Sequence, residues 1–181
     1  MQPIVPKVKA LNPDYIRIDH IYDFYNIVQK DGDKLTFDFT KLDVVIDEMD
    51  NIPMKFRLRE YAKKYRIPLI TAADEGDSGV IDIERYDLSR RVRPFGGRLS
   101  KLSYQDSFEA DYRTIGKIIV QMIGPENIPP PMQYSLSRIG KEIVSWPQLG
   151  GTALLNSAAV AYTLRRILNK KPVNEHSVIS L

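Results

Sequence analysis

The chain has 181 residues, 43% of them hydrophobic and 27% charged, enough for one globular domain with a real core and too few for two. Its formal net charge of +3 is spread over interspersed acids and bases, without the basic block that marks a nucleic-acid partner. It has no Cys, which excludes disulfides, thiolate zinc sites and a cysteine nucleophile. It also lacks a signal-peptide core or a bilayer-length apolar run, so it reads as a soluble, cytoplasmic protein with no membrane partner.

In chain order, "VKALNPDYIRID" reads as a last helical turn broken at Asn12-Pro13, then a strand carrying Tyr15, Ile16 and Ile18. "YDFYNIVQ" reads as a short helix and "KDGDK" as a turn centred on Gly32. The apolar run over residues 42–46 predicts an inner parallel strand buried on both faces. From Pro53, the residues Met54, Leu58, Tyr61 and Tyr65 fall at helical spacing, with Lys55, Arg57, Arg59 and Lys63 elsewhere on the helix surface, and "IPLITAA" is a second buried run. Strand, helix and strand within about 30 residues make a βαβ unit and imply a parallel sheet. "GVIDIERYD" adds a strand that can run in either direction.

Beyond Leu88, "SRRVRPFGGRLSKLSYQDS" reads as a long connection, and Phe108, Tyr112, Ile115, Ile119 and Met122 make one helical stripe. "GPENIPPPM" reads as a loop. In "PQLGGTALLNSAAVAYTLRRIL" the residues Leu149, Ala153, Ser157, Ala161, Leu164 and Leu168 share one face. Their small side chains predict a helix lying close against its neighbour. The whole chain, 1–181, reads as one domain, with 89–133 as an excursion from the α/β core.

Asp47, Glu48 and Asp50 follow the first buried run. In open α/β sheets ligands sit beyond the carboxyl ends of the parallel strands, so these carboxylates stand where a ligand is met. The same stretch is also a good helix start, with Asp50 or Asn51 as cap and Pro53 in the first turn. A cap explains one carboxylate and hardly three.

The segment "LDVVIDEMDNIPMKFRLREYAKKYRIPLITAADEGDSGVIDIERYD" resembles the second half of the ThiF/MoeB family, the fold of ubiquitin-activating enzymes. It matches in its strand, D-x-x-D-N turn, helix, "IPLI" strand and G-x-x-G before the next strand. "ALNP" resembles the segment that precedes this strand in the family, and "WPQLGG" is closer still to a subgroup found near nitroreductase-like proteins. The resemblance implies an α/β, Rossmann-like, mostly parallel sheet with flanking helices, lacking its N-terminal glycine-rich nucleotide-binding half. It also implies ATP and magnesium as cofactors, and adenylation of a carboxylate, such as the C-terminus of a ubiquitin-like protein. By match to the motif, Asp50 would be the catalytic carboxylate and magnesium ligand. Asp50, Asn51 and Asp47 would be the cofactor-binding set, with Asn51 holding the turn and Asp47 and Glu48 either assisting the metal or facing solvent.

The family's phosphate loop, ribose-contacting acid, arginines and lysine lie upstream of the "ALNP" segment, where this chain has nine residues. The expectation is therefore a C-terminal portion of a larger protein, weak in ATP binding alone, partnered by the missing N-terminal half and homodimeric like its family. The doubled glycines Gly96-Gly97 and Gly150-Gly151 lack the context of a phosphate loop. The rival reading is a degenerate family member kept as a binding or dimerisation module.

Asp74, Glu75 and Asp77 follow the second strand and either cap a turn or border a substrate channel. Arg85, Arg90, Arg91, Arg93, Arg98 and Lys101 form a basic run that is either a solvated loop or a docking surface for an acidic tail or phosphate. His20 and His176 have no partner at metal-ligand spacing. Trp146 reads as core or interface packing.

Overall fold

The computed structural model describes residues 39–180, which all fall in one compact unit. The strand, helix and turn expected over residues 8–38, and His20, lie outside them. Four strands, β1 (Val45–Asp47), β2 (Leu69–Glu75), β3 (Ser78–Glu84) and β4 (His176–Ser180), form one sheet in the order β1-β2-β3-β4. β1 and β2 are parallel, joined through helix α1 (Ile52–Tyr65); the other two pairs are antiparallel. The described sheet is therefore mixed, and the expectation of a mostly parallel one is corrected. β1 pairs as predicted with a parallel neighbour, but Ile46 is 38% exposed, so the strand is not buried on both faces.

α1 forms for local reasons. Asn51 is its N-cap, its Oδ1 accepting from the Met54 amide at 3.1 Å, and Pro53 occupies the first turn, where no amide donor is needed. The connection from β2 to β3 is a two-residue hairpin, Gly76-Asp77, with Gly76 at φ 66°. Glycine at the first central position suits the primed turns that match strand twist.

The segment 89–133 packs back on the sheet. Phe95, in the short turn Pro94–Gly97, is buried, as are Leu99 and Ile128. The predicted stripe from Phe108 to Met122 is divided between two helices, α2 (Tyr104–Phe108) and α3 (Tyr112–Ile123). Asp111 caps the second by accepting from the Thr114 amide at 2.7 Å. Phe108 and Tyr112 are consequently exposed, and Ile118, Met122 and Ile123 join Ile52, Phe56, Val80 and Phe95 in one core. "GPENIPPPM" is not all loop, because α4 (Pro130–Leu136) begins with two prolines at positions that need no donor.

The opposite sheet face meets α5 (Gly150–Leu168) through Ile70, Ile81, Ile83, Val160 and Ile167. The predicted contact face of this helix is mostly the exposed one: Leu149, Ala153, Ser157, Ala161 and Leu168 face outward, Leu164 is half-buried against the core, and Thr152, Asn156, Val160, Thr163 and Ile167 are buried. The physical reason lies in the hairpin. Thr152 Oγ1 donates to the Gly76 carbonyl, and Asn156 Nδ2 donates to the Ala73 carbonyl at 3.0 Å and to the Asp74 carboxylate. Satisfying those groups outweighs burying a few more small apolar side chains.

Candidate cleft at the carboxyl end of the parallel strands

Parallel β1 and β2 place their carboxyl ends side by side, and a cleft opens there. Glu48, Met49 and Asp50 line it from the β1–α1 turn, Lys55 from α1, and the Ala72–Glu75 stretch from β2. α3 adds Ile119, Met122 and Ile123, and the segment ahead of α5 adds Trp146 and Gln148. One wall is thus acidic and the other apolar.

Asp50 is exposed at the rim, and no hydrogen bond or ion pair engages it among the described residues. Asn51 supplies the helix cap, which bears out its expected role in holding the turn. Asp47 neither faces solvent nor reaches the cleft, contrary to the two roles expected for it. It is 0% exposed, with Oδ1 3.1 Å from Lys55 Nζ and Oδ2 2.7 Å from Arg59 Nη1. Burial works to raise its pKa, but Arg59 and Lys55 overcome that and hold it below the usual carboxylate range. β1 alternates its side chains, so the residue after Ile46 returns to the α1 face and meets the basic side of that helix.

The ion network runs on from there. Arg59 Nε donates to Glu84 Oε1 at 2.8 Å and Nη2 to Thr71 Oγ1 at 2.7 Å, and its guanidinium lies 3.7 Å from the centre of the Phe95 ring. Glu84 also accepts from the Phe95 amide and the Tyr86 hydroxyl. Burial and the neighbouring Glu84 push the Tyr86 pKa up. Two acids and two bases balance in a buried cluster that ties the ends of β1, β2 and β3 to α1. Sequence reasoning placed Lys55 and Arg59 on the helix surface; their spacing of four, one helical turn, was the signal that they act together.

Glu75 is 1% exposed, and its Oε2 has no hydrogen-bond partner among the described residues. Burial, with the nearby Asp74 charge, pushes its pKa up to about 8. The Glu48 residue is exposed, yet its carboxyl is crowded by protein: desolvation first, then the Asp47 and Asp74 charges, raises it to about 7 against the pull of Lys55. Asp74 and Glu75 border the cleft from within β2, whereas Asp77 is exposed in the hairpin turn and outside it. Trp146 is half-buried, packing on the core and lining the cleft as well.

Away from the cleft, the basic run is partly engaged: Arg85 pairs with Asp87 at 2.6 Å, and Arg98 pairs with Asp82. Arg90, Arg91, Arg93 and Lys101 are exposed. His176 Nδ1 lies 2.7 Å from Asp82 Oδ1. Among the described residues, no helix is long and apolar enough to cross a membrane.

Magnesium can be weighed against this donor set. Among the described residues, no three His, Cys, Asp or Glu side chains converge to hold a metal ion. Magnesium, however, is usually bound through one or two carboxylates plus substrate phosphates. Asp50, with Glu48 beside it, fits that limited requirement. Among the described residues no phosphate cradle accompanies them, since Gly96-Gly97 sit in a turn after β3 and Gly150-Gly151 open α5.

No family model matches the chain, and no solved structure matches it. It is similar to an uncharacterized protein, MT1398, of Mycobacterium tuberculosis (strain CDC 1551 / Oshkosh), at 27% identity over 137 residues. The match covers 76% of this chain and 19% of that protein, so the chain spans about a fifth of the relative's length.

Proposed function

We propose that this chain is the C-terminal portion of a ThiF-like, ATP-dependent adenylyltransferase that activates a carboxylate, possessing a Rossmann-like sheet whose glycine-rich half is supplied elsewhere. The observation that carries the reading is the position of Asp50. Among the described residues it is a carboxylate without a protein partner, on the rim of a cleft at the carboxyl end of a parallel strand pair. When bound, a magnesium–nucleotide pair supplies charge neutralisation for displacement at the α-phosphorus. The chain's own residues hold the geometry. Asn51 fixes the turn, the Asp47–Arg59–Glu84 cluster fixes the strand ends, and Asp50 is left free to meet a cation. The stretch from Asp74 to Gly79 would border the acyl substrate. Within this reading the complete protein is a cytoplasmic homodimer, and its substrate is a ubiquitin-like C-terminus or a small carboxylate.

A second reading, a non-catalytic binding or dimerisation module, is favoured by the cap at Asn51 and the ion pairs of Asp47, which give most of the turn a structural purpose. Pyrophosphate exchange by the full-length protein separates the two. Exchange should occur with the native protein and fall at least ~100-fold in Asp50→Ala, as expected for loss of a charge-stabilising group. Equal exchange by both removes Asp50 from the chemistry.

A further inference from the structure

The acidic wall of the cleft carries more carboxyl groups than adenylation requires. Glu48, Asp50, Asp74 and Glu75 all line it, and the one cation among its described lining residues, Lys55, has its ammonium 3.1 Å from Asp47, behind the wall. Asp74 takes a hydrogen bond from Asn156, but Glu75 is nearly inaccessible and its Oε2 receives none. A buried carboxyl oxygen without a donor is costly in the empty state and is relieved when a ligand brings one.

The arrangement of the acids bears on the kind of donor. A metal held by protein groups alone needs several converging oxygens, and no three acidic or imidazole groups converge among the described residues. An ammonium carries three divergent N–H donors and tolerates acceptors spread along a wall. The cleft is also lined by Ile119, Met122, Ile123 and Trp146, which offer apolar contact and an indole, a ring type attractive to a cation.

We propose that this cleft binds a primary-ammonium ligand with an apolar or aromatic body, its ammonium on Glu75 and the flanking carboxylates and its body against Trp146 and α3. The proposal does not depend on the adenylation reading, because the binding needs no nucleotide. It carries a proton linkage. In the empty cleft Glu75 holds its proton to about pH 8, and an arriving ammonium favours the ionised form, so binding releases a proton. The charged groups around it are Glu48 and Asp50 from the turn, Lys55 from α1 and Asp74 from β2, while the lining from α3 and the segment ahead of α5 is uncharged.

The chain contains one tryptophan, so intrinsic fluorescence of the full chain reports on Trp146 directly. Titration with 2-phenylethylamine, without nucleotide, should give a saturable change. The isosteric 2-phenylethanol should bind at least about 10-fold more weakly, and amine affinity should rise between pH 6 and 8. Glu75→Gln should weaken the amine about 10-fold or more and reduce its pH dependence. Because that residue is buried, Glu48→Gln at the exposed edge provides a second variant and should weaken it several-fold. Equal response to amine and alcohol, or unchanged binding in either variant, overturns the proposal. So does a site saturated by magnesium chloride in preference to the amine. Failure of pyrophosphate exchange would leave this binding result standing, and the reverse also holds.

Discussion

Arg59 reaches across the fold from α1 to place Nη1 2.7 Å from Asp47 Oδ2 on β1 and Nε 2.8 Å from Glu84 Oε1 on β3. One guanidinium therefore clamps strands that are not sheet neighbours, with β2 between them and its Thr71 hydroxyl accepting a third bond. All of these side chains are nearly or fully buried, which makes each charge dependent on the others.

Arg59→Met should consequently destabilise the chain by about 3–5 kcal/mol, the usual result of leaving buried charges without a partner. Urea unfolding at pH 7 measures this. A loss below about 1 kcal/mol would mean that Asp47 and Glu84 rehydrate readily and that the clamp does not hold the strands together.

Glu75 leads to a pH effect of opposite sign to the usual carboxylate case. Its folded pKa of about 8 lies above the unfolded value near 4.3, so between those limits the folded state binds more protons and stability falls as pH rises. Its contribution is fully present below about pH 4.3 and lost through pH 8. The expected decline is on the order of 4 kcal/mol between pH 5 and 9. Glu75→Gln should flatten it, as read by urea unfolding across that range. Asp47, held low by Arg59 and Lys55, acts the other way. Its stabilisation is present above about pH 4 and disappears as pH falls through its folded pKa. A profile identical in native protein and Glu75→Gln would show that Glu75 is ionised at neutral pH.

Gly79 and Asn156 form a close pair between β3 and α5. A Cβ at Gly79 would stand 1.9 Å from Asn156 Oδ1, and the Asn156 side chain is fixed by its bonds to Ala73 and Asp74. Gly79→Ala should cost about 1–3 kcal/mol by overpacking. In an Asn156→Ala background that cost should shrink by at least about 0.5 kcal/mol, a coupling measured by a double-mutant cycle. Strict additivity would show that the helix moves away without resistance.

The parts of the chain legible in the sequence are those decided by near neighbours. Asn51 and Pro53 announce the start of α1, and the apolar runs at 42–46 and 67–73 the parallel pair, because caps and strands are set within a few residues. The cleft's position followed as well, since a βαβ unit puts the carboxyl ends of its strands together whatever the rest of the fold does.

Tertiary structure decided which groups fill that cleft and which are withdrawn from it. Asp47 and Glu48 are adjacent and equally acidic on paper. Strand alternation turns Asp47 onto Lys55 and Arg59 and leaves Glu48 at the edge. α5 carries apolar and small residues on both sides, and its orientation was settled by Thr152 and Asn156 meeting hairpin groups many residues away. Glu75 became a buried carboxyl with an unpaired oxygen only because the sheet and its covering helices close over it. Burial and electrostatic pairing depend on what packs from a distance, and no local pattern of residues encodes that.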